Sequence, residues 1–150
     1  MLTSASEIQT ERIASDFFNR ELNHLPGAVL LLDGQLGAGK TAFVRAIGKA
    51  MGIDETVNSP TFNLLNQYWS SNKSALFHYD LYRISEIDLD ELEFPDLWAK
   101  TIDDHFTIHA IEWWRRAGKI KSNLPIFQIQ LDFQPQQNEM NRTIRISKVQ

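Results

Sequence analysis

The stretch VLLLDGQLGAGKTAFV, Val29 to Val44, constrains the fold more than any other part of the chain. An apolar run, a glycine-rich turn and an amphipathic segment follow one another without a gap, which reads as strand, turn and helix start. Gly34, Gly39, Lys40 and Thr41 fill the pattern G-x-x-x-x-G-K-[ST]. Such a turn aims backbone N–H groups at phosphate oxygens, and the helix start adds a partial positive charge. The whole turn is therefore a candidate nucleotide site: Gly34, Gln35, Leu36, Gly37, Ala38, Gly39, Lys40, Thr41 and Ala42. Lys40 is expected to reach the β- and γ-phosphates, and the Thr41 hydroxyl to ligate Mg²⁺. The competing reading is a chance glycine turn beside a lysine; the strand before it and the helix after it stand against that.

Around this turn the chain alternates helix and strand. Ser6 and Gln9 have capping-box spacing, and Ile13, Phe17, Phe18 and Leu22 repeat at helical intervals, so residues from about 6 to 23 form an amphipathic helix. Pro26-Gly27 breaks the chain before the strand Ala28 to Leu32. Phe43, Val44, Ile47 and Met51 give the next helix one apolar face, closed by Gly52. Strands are expected at 62–68, in ALFHYDLY after the turn SSNKS, and at Phe106 to Glu112. Ser85-x-x-Asp88 is a second capping pattern, before a short acidic helix expected to end near Pro95. Phe127, Ile129, Leu131 and Phe133 alternate, and Ile144 and Ile146 follow a polar loop, which gives a hairpin. The expected fold is α/β: a single P-loop NTPase-like domain over residues 1–150, with a mixed, mainly parallel sheet flanked by helices and a C-terminal antiparallel hairpin.

Composition narrows the function classes. With 150 residues the chain can bury a sizeable core as one domain. There is no cysteine, which removes disulfides and thiolate metal sites and fits a reducing compartment. The N-terminus lacks the basic start and apolar run of a secretory signal, and no apolar run is long enough to span a bilayer, so a cytoplasmic location away from membranes is expected. The formal net charge of −4 argues against a broad nucleic-acid grip, so any nucleic-acid role is expected to run through a partner.

Further chemical groups close predicted strands, where ligands gather in parallel sheets. Glu112 ends TIHAIE and can hold a metal-bound water or orient an attacking one; the plain alternative is a solvated carboxylate at a loop start. Asp80, in HYDLYR, ends a second strand; its plain alternative is a cap or a pair with Arg83. His78 reads as structural. The run WWRRAGKIK, Trp113 to Lys121, mixes aromatics with four basic residues as nucleic-acid contacts do, but reads better as an exposed basic helix. A GTPase would carry Asp-x-x-Gly after its metal strand; here Asp80 is followed by LYR. It would also carry Asn-Lys-x-Asp, and the one Asn-Lys pair, Asn72-Lys73, is followed by Ser74-Ala75. A small-molecule kinase needs a basic lid, and 85–104 is acidic instead. ATP hydrolysis coupled to another process is favoured, with the kinase as the alternative.

The set GQLGAGKT, SPTF, HYDLYR and IEW, in this order and spacing, resembles the TsaE family, also called YjeE, over essentially the whole chain. Glu7 and Thr10 look like its N-terminal acid-x-x-threonine signature, and Arg142 like its late arginine. Gln35 stands where the family often has an acid, and Trp114 where proline is common. The resemblance implies an ATPase of bacterial tRNA threonylcarbamoyladenosine (t6A) synthesis, with ATP and Mg²⁺ as cofactors. It implies Thr41 and Glu112 as Mg²⁺ ligands, with Lys40, Asp80 and Glu112 catalytic. It further implies Asp80 near the nucleotide, Thr61 on a loop sensing the γ-phosphate, and Glu7, Thr10 and Arg142 lining the nucleotide site. It implies docking on a TsaB–TsaD pair, with hydrolysis resetting that complex, and contact with tRNA only through it.

Overall fold

The computed structural model describes residues 1–35, 37–60, 62–84, 89–133 and 141–150. One seven-stranded sheet organises them: β1 (Leu2–Ser4), β2 (Gly27–Gly34), β3 (Leu65–Trp69), β4 (Ser74–Asp80), β5 (Phe106–Glu112), β6 (Ile126–Phe133) and β7 (Arg142–Lys148). Their order across the sheet is β1-β7-β6-β2-β5-β4-β3. The four central strands, β6, β2, β5 and β4, run parallel. β7 and β3 pair antiparallel beside them, and β1 pairs antiparallel with β7. A parallel centre with an antiparallel C-terminal hairpin is the arrangement the sequence pattern predicts.

β2 is buried on both faces because both faces are covered. Ala28, Leu30 and Leu32 pack with Phe17, Phe43, Val44, Ile47 and Met51 of the helical layer. Val29 and Leu31 point the other way, into a second core with Phe77, Tyr79, Ile111 and Trp98. Helices α1 (Glu7–Phe17) and α2 (Lys40–Ala50) build the first layer. Ser6 caps α1 by accepting from the Gln9 N–H at 3.2 Å. Gln9 reaches back to the Ala5 N–H, one residue earlier than a standard capping box. After Phe17 the helix loosens into a π turn over Phe18–Leu22, which keeps Phe18 and Leu22 buried.

Three expectations are corrected. The strand expected from residue 62 begins at Leu65; Phe62 and Asn63 lie in a turn and are exposed. Pro95 does not end a helix: 89–93 are turns, and the short helix α3 (Phe94–Trp98) starts with Pro95 in its first turn. That is where a missing N–H costs nothing. Only Trp114–Ala117 of the basic run is helical, as a 3₁₀ turn. The Ser85–Asp88 capping pattern lies outside the described residues. Among the described residues no helix is long and apolar enough to cross a membrane.

Candidate functional site

The glycine-rich turn leaves β2 at the carboxyl end of the parallel strands and enters α2. Gly34 has φ +153°, and a Cβ there would stand 2.5 Å from the Leu131 carbonyl oxygen. Gly39, the residue before α2, has φ +103° and no side chain capping the helix. The first-turn N–H groups of α2 therefore face outward with no side-chain acceptor of their own, as an anion site requires. Arg142 comes across from β7 and holds the turn: its Nε donates to the Ala38 carbonyl at 2.8 Å and its Nη2 to that of Gly37 at 3.2 Å. The Lys40 ammonium donates to the Gly34 carbonyl, folding back over the turn it belongs to.

A cleft of about 460 Å³ opens above this turn. Glu7, Thr10, Gly37, Gly39, Lys40, Thr41, Ala42, Ser59, Asp80, Glu112, Trp113 and Arg142 line it. Most of the candidate residues thus meet in one place. Gly34 instead borders a neighbouring cavity of about 350 Å³, which shares Lys40 and Trp113 with the cleft and is otherwise lined by Leu32, Asp33 and Trp114–Arg116. Gln35 is exposed and Ala38 is part of the core, so neither side chain lines the cleft. Leu36 and Thr61 lie outside the described residues. Ser59, which sequence reasoning did not single out, was within reach of it as the first residue of the quoted SPTF.

Asp80 and Glu112 are register partners across β4 and β5, so sheet spacing sets their separation. Glu112 is buried, and His78 Nε2 lies 2.8 Å from its Oε2. Asp80 accepts from the Tyr82 N–H at 3.0 Å, a local turn bond. Arg83 does not pair with it but sits over the Phe62 ring, 5.7 Å from the centroid. Burial pushes the Asp80 carboxyl above its ordinary value, and the Glu112 charge adds to this. The Tyr82 hydrogen bond and the positive charges nearby work in the opposite direction.

The side chains lining the cleft that could ligate a metal all offer oxygen: the hydroxyls of Thr10, Thr41 and Ser59 and the carboxylates of Glu7, Asp80 and Glu112. Hard oxygen donors suit Mg²⁺, which is usually held by one or two protein groups plus substrate phosphates. Among the described residues no group of three His, Cys, Asp or Glu side chains is placed to hold a metal ion on its own.

On the N-terminal wall, Glu7 faces Arg45 at 3.7 Å. The Thr10 hydroxyl is bonded to Ser4 Oγ at 2.8 Å and to the Ser6 carbonyl at 3.2 Å. After Glu112, Trp113 takes φ +57° and turns the chain into the 3₁₀ segment. Trp114 Nε1 donates to Asp33 at 3.2 Å and Arg115 pairs with the same carboxylate, which fixes the path beyond Glu112.

The fold and the cleft together define an α/β protein with a glycine-rich turn between a central parallel strand and its helix, and two carboxylates closing the neighbouring strands. The sequence matches the family described as "Threonylcarbamoyl adenosine biosynthesis protein TsaE" over residues 4–144. The chain belongs to the TsaE family. It is 37% identical over 111 residues to the tRNA threonylcarbamoyladenosine biosynthesis protein TsaE of Synechocystis, covering 73% of this chain and 69% of the relative. It is 42% identical to the protein of the same name from Nostoc, covering 60% and 54%, and 36% identical to that of Bacillus subtilis, covering 71% and 61%. The chain thus spans between about half and about two thirds of these relatives' lengths. The crystal structure of Bacillus subtilis YdiB superposes with a TM-score of 0.67 over 99% of this chain and 84% of the other, at 22% identity.

Proposed function

We propose that this chain binds ATP with Mg²⁺ and hydrolyses it in the service of tRNA threonylcarbamoyladenosine synthesis, docking on a TsaB–TsaD pair and resetting it. The observation that carries this reading is the convergence of Lys40, Thr41, Asp80 and Glu112 on one cleft at the carboxyl edge of the parallel strands. Backbone N–H groups of the turn and the α2 start bind the phosphates, and Lys40 leaves the Gly34 carbonyl to meet them. Thr41 and Glu112 hold Mg²⁺, which when bound neutralises phosphate charge. Asp80, protonated more readily than an ordinary carboxylate, orients water beside the reacting phosphate.

The test is phosphate release from ATP, measured for the chain alone and then with a TsaB–TsaD pair. The expected result is a slow basal rate that rises at least several-fold with the pair, without any small-molecule acceptor. A fast basal rate indifferent to the pair overturns the coupling. One observation favours the second reading, a small-molecule kinase: the cavity lined by Asp33 and Trp113–Arg116 opens beside Lys40, where an acceptor would sit. Strict dependence of phosphate release on a hydroxylated metabolite would select it.

A further inference from the structure

We infer that His78 is a positioning residue for Glu112, a role that rests on the reading of Glu112 given above. His78 lies on β4 two residues before Asp80, opposite Ala110 of β5, and is fully buried. A carboxylate only accepts, so at 2.8 Å the His78 Nε2 carries the proton and donates it to Glu112 Oε2. With Oε2 held from behind, the other oxygen is the one left for the cleft that Glu112 lines. The arrangement has a cost. His78 Nδ1 is buried without a hydrogen-bond partner among the described residues, and a leucine there would remove that orphan only by stripping Glu112 Oε2 of its donor.

The neighbouring strand shows that this fold can satisfy a buried histidine completely. His109 Nδ1 is bonded to Tyr79 Oη at 2.8 Å and its Nε2 to the Lys100 carbonyl at 2.9 Å. His109 is not among the residues lining the cleft; His78, which is not fully satisfied, is the one that touches a cleft carboxylate. An imidazole behind a carboxylate fixes which oxygen faces the ligand, and losing such an orienting partner commonly costs about 10–100-fold in activity or metal affinity.

The experiment compares His78→Gln, His78→Asn and His78→Leu with Glu112→Gln as the reference. The glutamine amide reaches the Nε2 position, whereas the shorter asparagine amide stops near Nδ1. The two carry similar polar burial, so they decide the matter even if the leucine variant does not fold. Two readouts are taken: phosphate release, and the gain in ADP affinity on adding Mg²⁺, by calorimetry. H78N and H78L are expected to lose about 10–100-fold in turnover and part of the Mg²⁺ gain, with Mg²⁺-free ADP affinity unchanged. H78Q is expected to recover much of both. Wild-type values in H78N and H78L overturn the inference, as does an H78Q as impaired as H78N, which would mark a structural role. A slow E112Q beside normal His78 variants removes this inference alone. A normal E112Q removes the Glu112 role and this inference with it.

Discussion

Lys40 already has a partner, the Gly34 carbonyl, so a phosphate must outcompete an internal hydrogen bond before it gains the ammonium. Charge-assisted bonds contribute about 1.5–3 kcal/mol each, so removing the ammonium weakens phosphate binding more than it weakens the fold. Lys40→Ala is expected to lower ATP·Mg²⁺ affinity by at least about 100-fold in calorimetry. Its unfolding midpoint should fall by only a few degrees, since one half-exposed neutral-acceptor bond is lost. Unchanged affinity would remove Lys40 from the phosphate site. Glu112→Gln keeps the shape of the side chain and removes its charge. Nucleotide binding, followed by Trp113 fluorescence, should survive, while turnover falls by about 10²–10⁴-fold. A normal rate would leave Glu112 a strand-end carboxylate and make Asp80 the leading metal-side group.

Elements carry the site by bringing such groups into range. The turn at Gly34 works because the backbone passes close under Leu131. Gly34→Ala would place a methyl 2.5 Å from that carbonyl oxygen at a φ of +153°. About 1–3 kcal/mol of strain is expected there, read as a lower denaturant midpoint with an unchanged m-value; a midpoint equal to wild type would refute the close approach. The strand Phe106–Glu112 was readable to the residue because an apolar run ending in a carboxylate allows few other readings. The N-cap at Ser6 and the apolar face of α2 were readable for the same local reason. β1 was not: three residues carry no periodicity, and their strand exists only because β7 offers an edge. Pro95 misled because proline both ends helices and starts them, and its meaning depends on the residues after it. His78 was set aside since no local pattern shows that the residue it meets lies 34 positions away.

At the scale of the whole molecule, His109 links β5 to Tyr79 of β4 and to the chain at Lys100. Burial pushes its imidazolium down to about 4, with the Lys100 bond opposing. The unfolded chain titrates near the ordinary 6.5, so between these values the unfolded state binds the proton and the folded state does not. Stability from this group is therefore complete above pH about 6.5 and declines as pH falls toward 4, by about 3 kcal/mol in all. Asp80, shifted upward, works in the opposite sense from about pH 3.8 up to its own raised value. Urea unfolding at stepped pH is the measurement, and His109→Gln is expected to flatten the slope between 6.5 and 4. A slope as steep as wild type in that variant would assign the loss to other groups.

The order of strands has a consequence for how the cleft opens in time. Asp80 and Glu112 stand on interior strands, but Glu7 and Thr10 follow β1, an edge strand held by three residue pairs. Amides of β2 and β5 should therefore exchange with deuterium only through global unfolding, while those of β1 and the first turn of α1 exchange through a cheaper, local opening. One wall of the cleft would then breathe while the carboxylate wall stays fixed, and bound nucleotide should slow exchange at the N-terminal wall far more than at the other. Equal protection on both sides would mean that the edge pairing is as firm as the centre of the sheet.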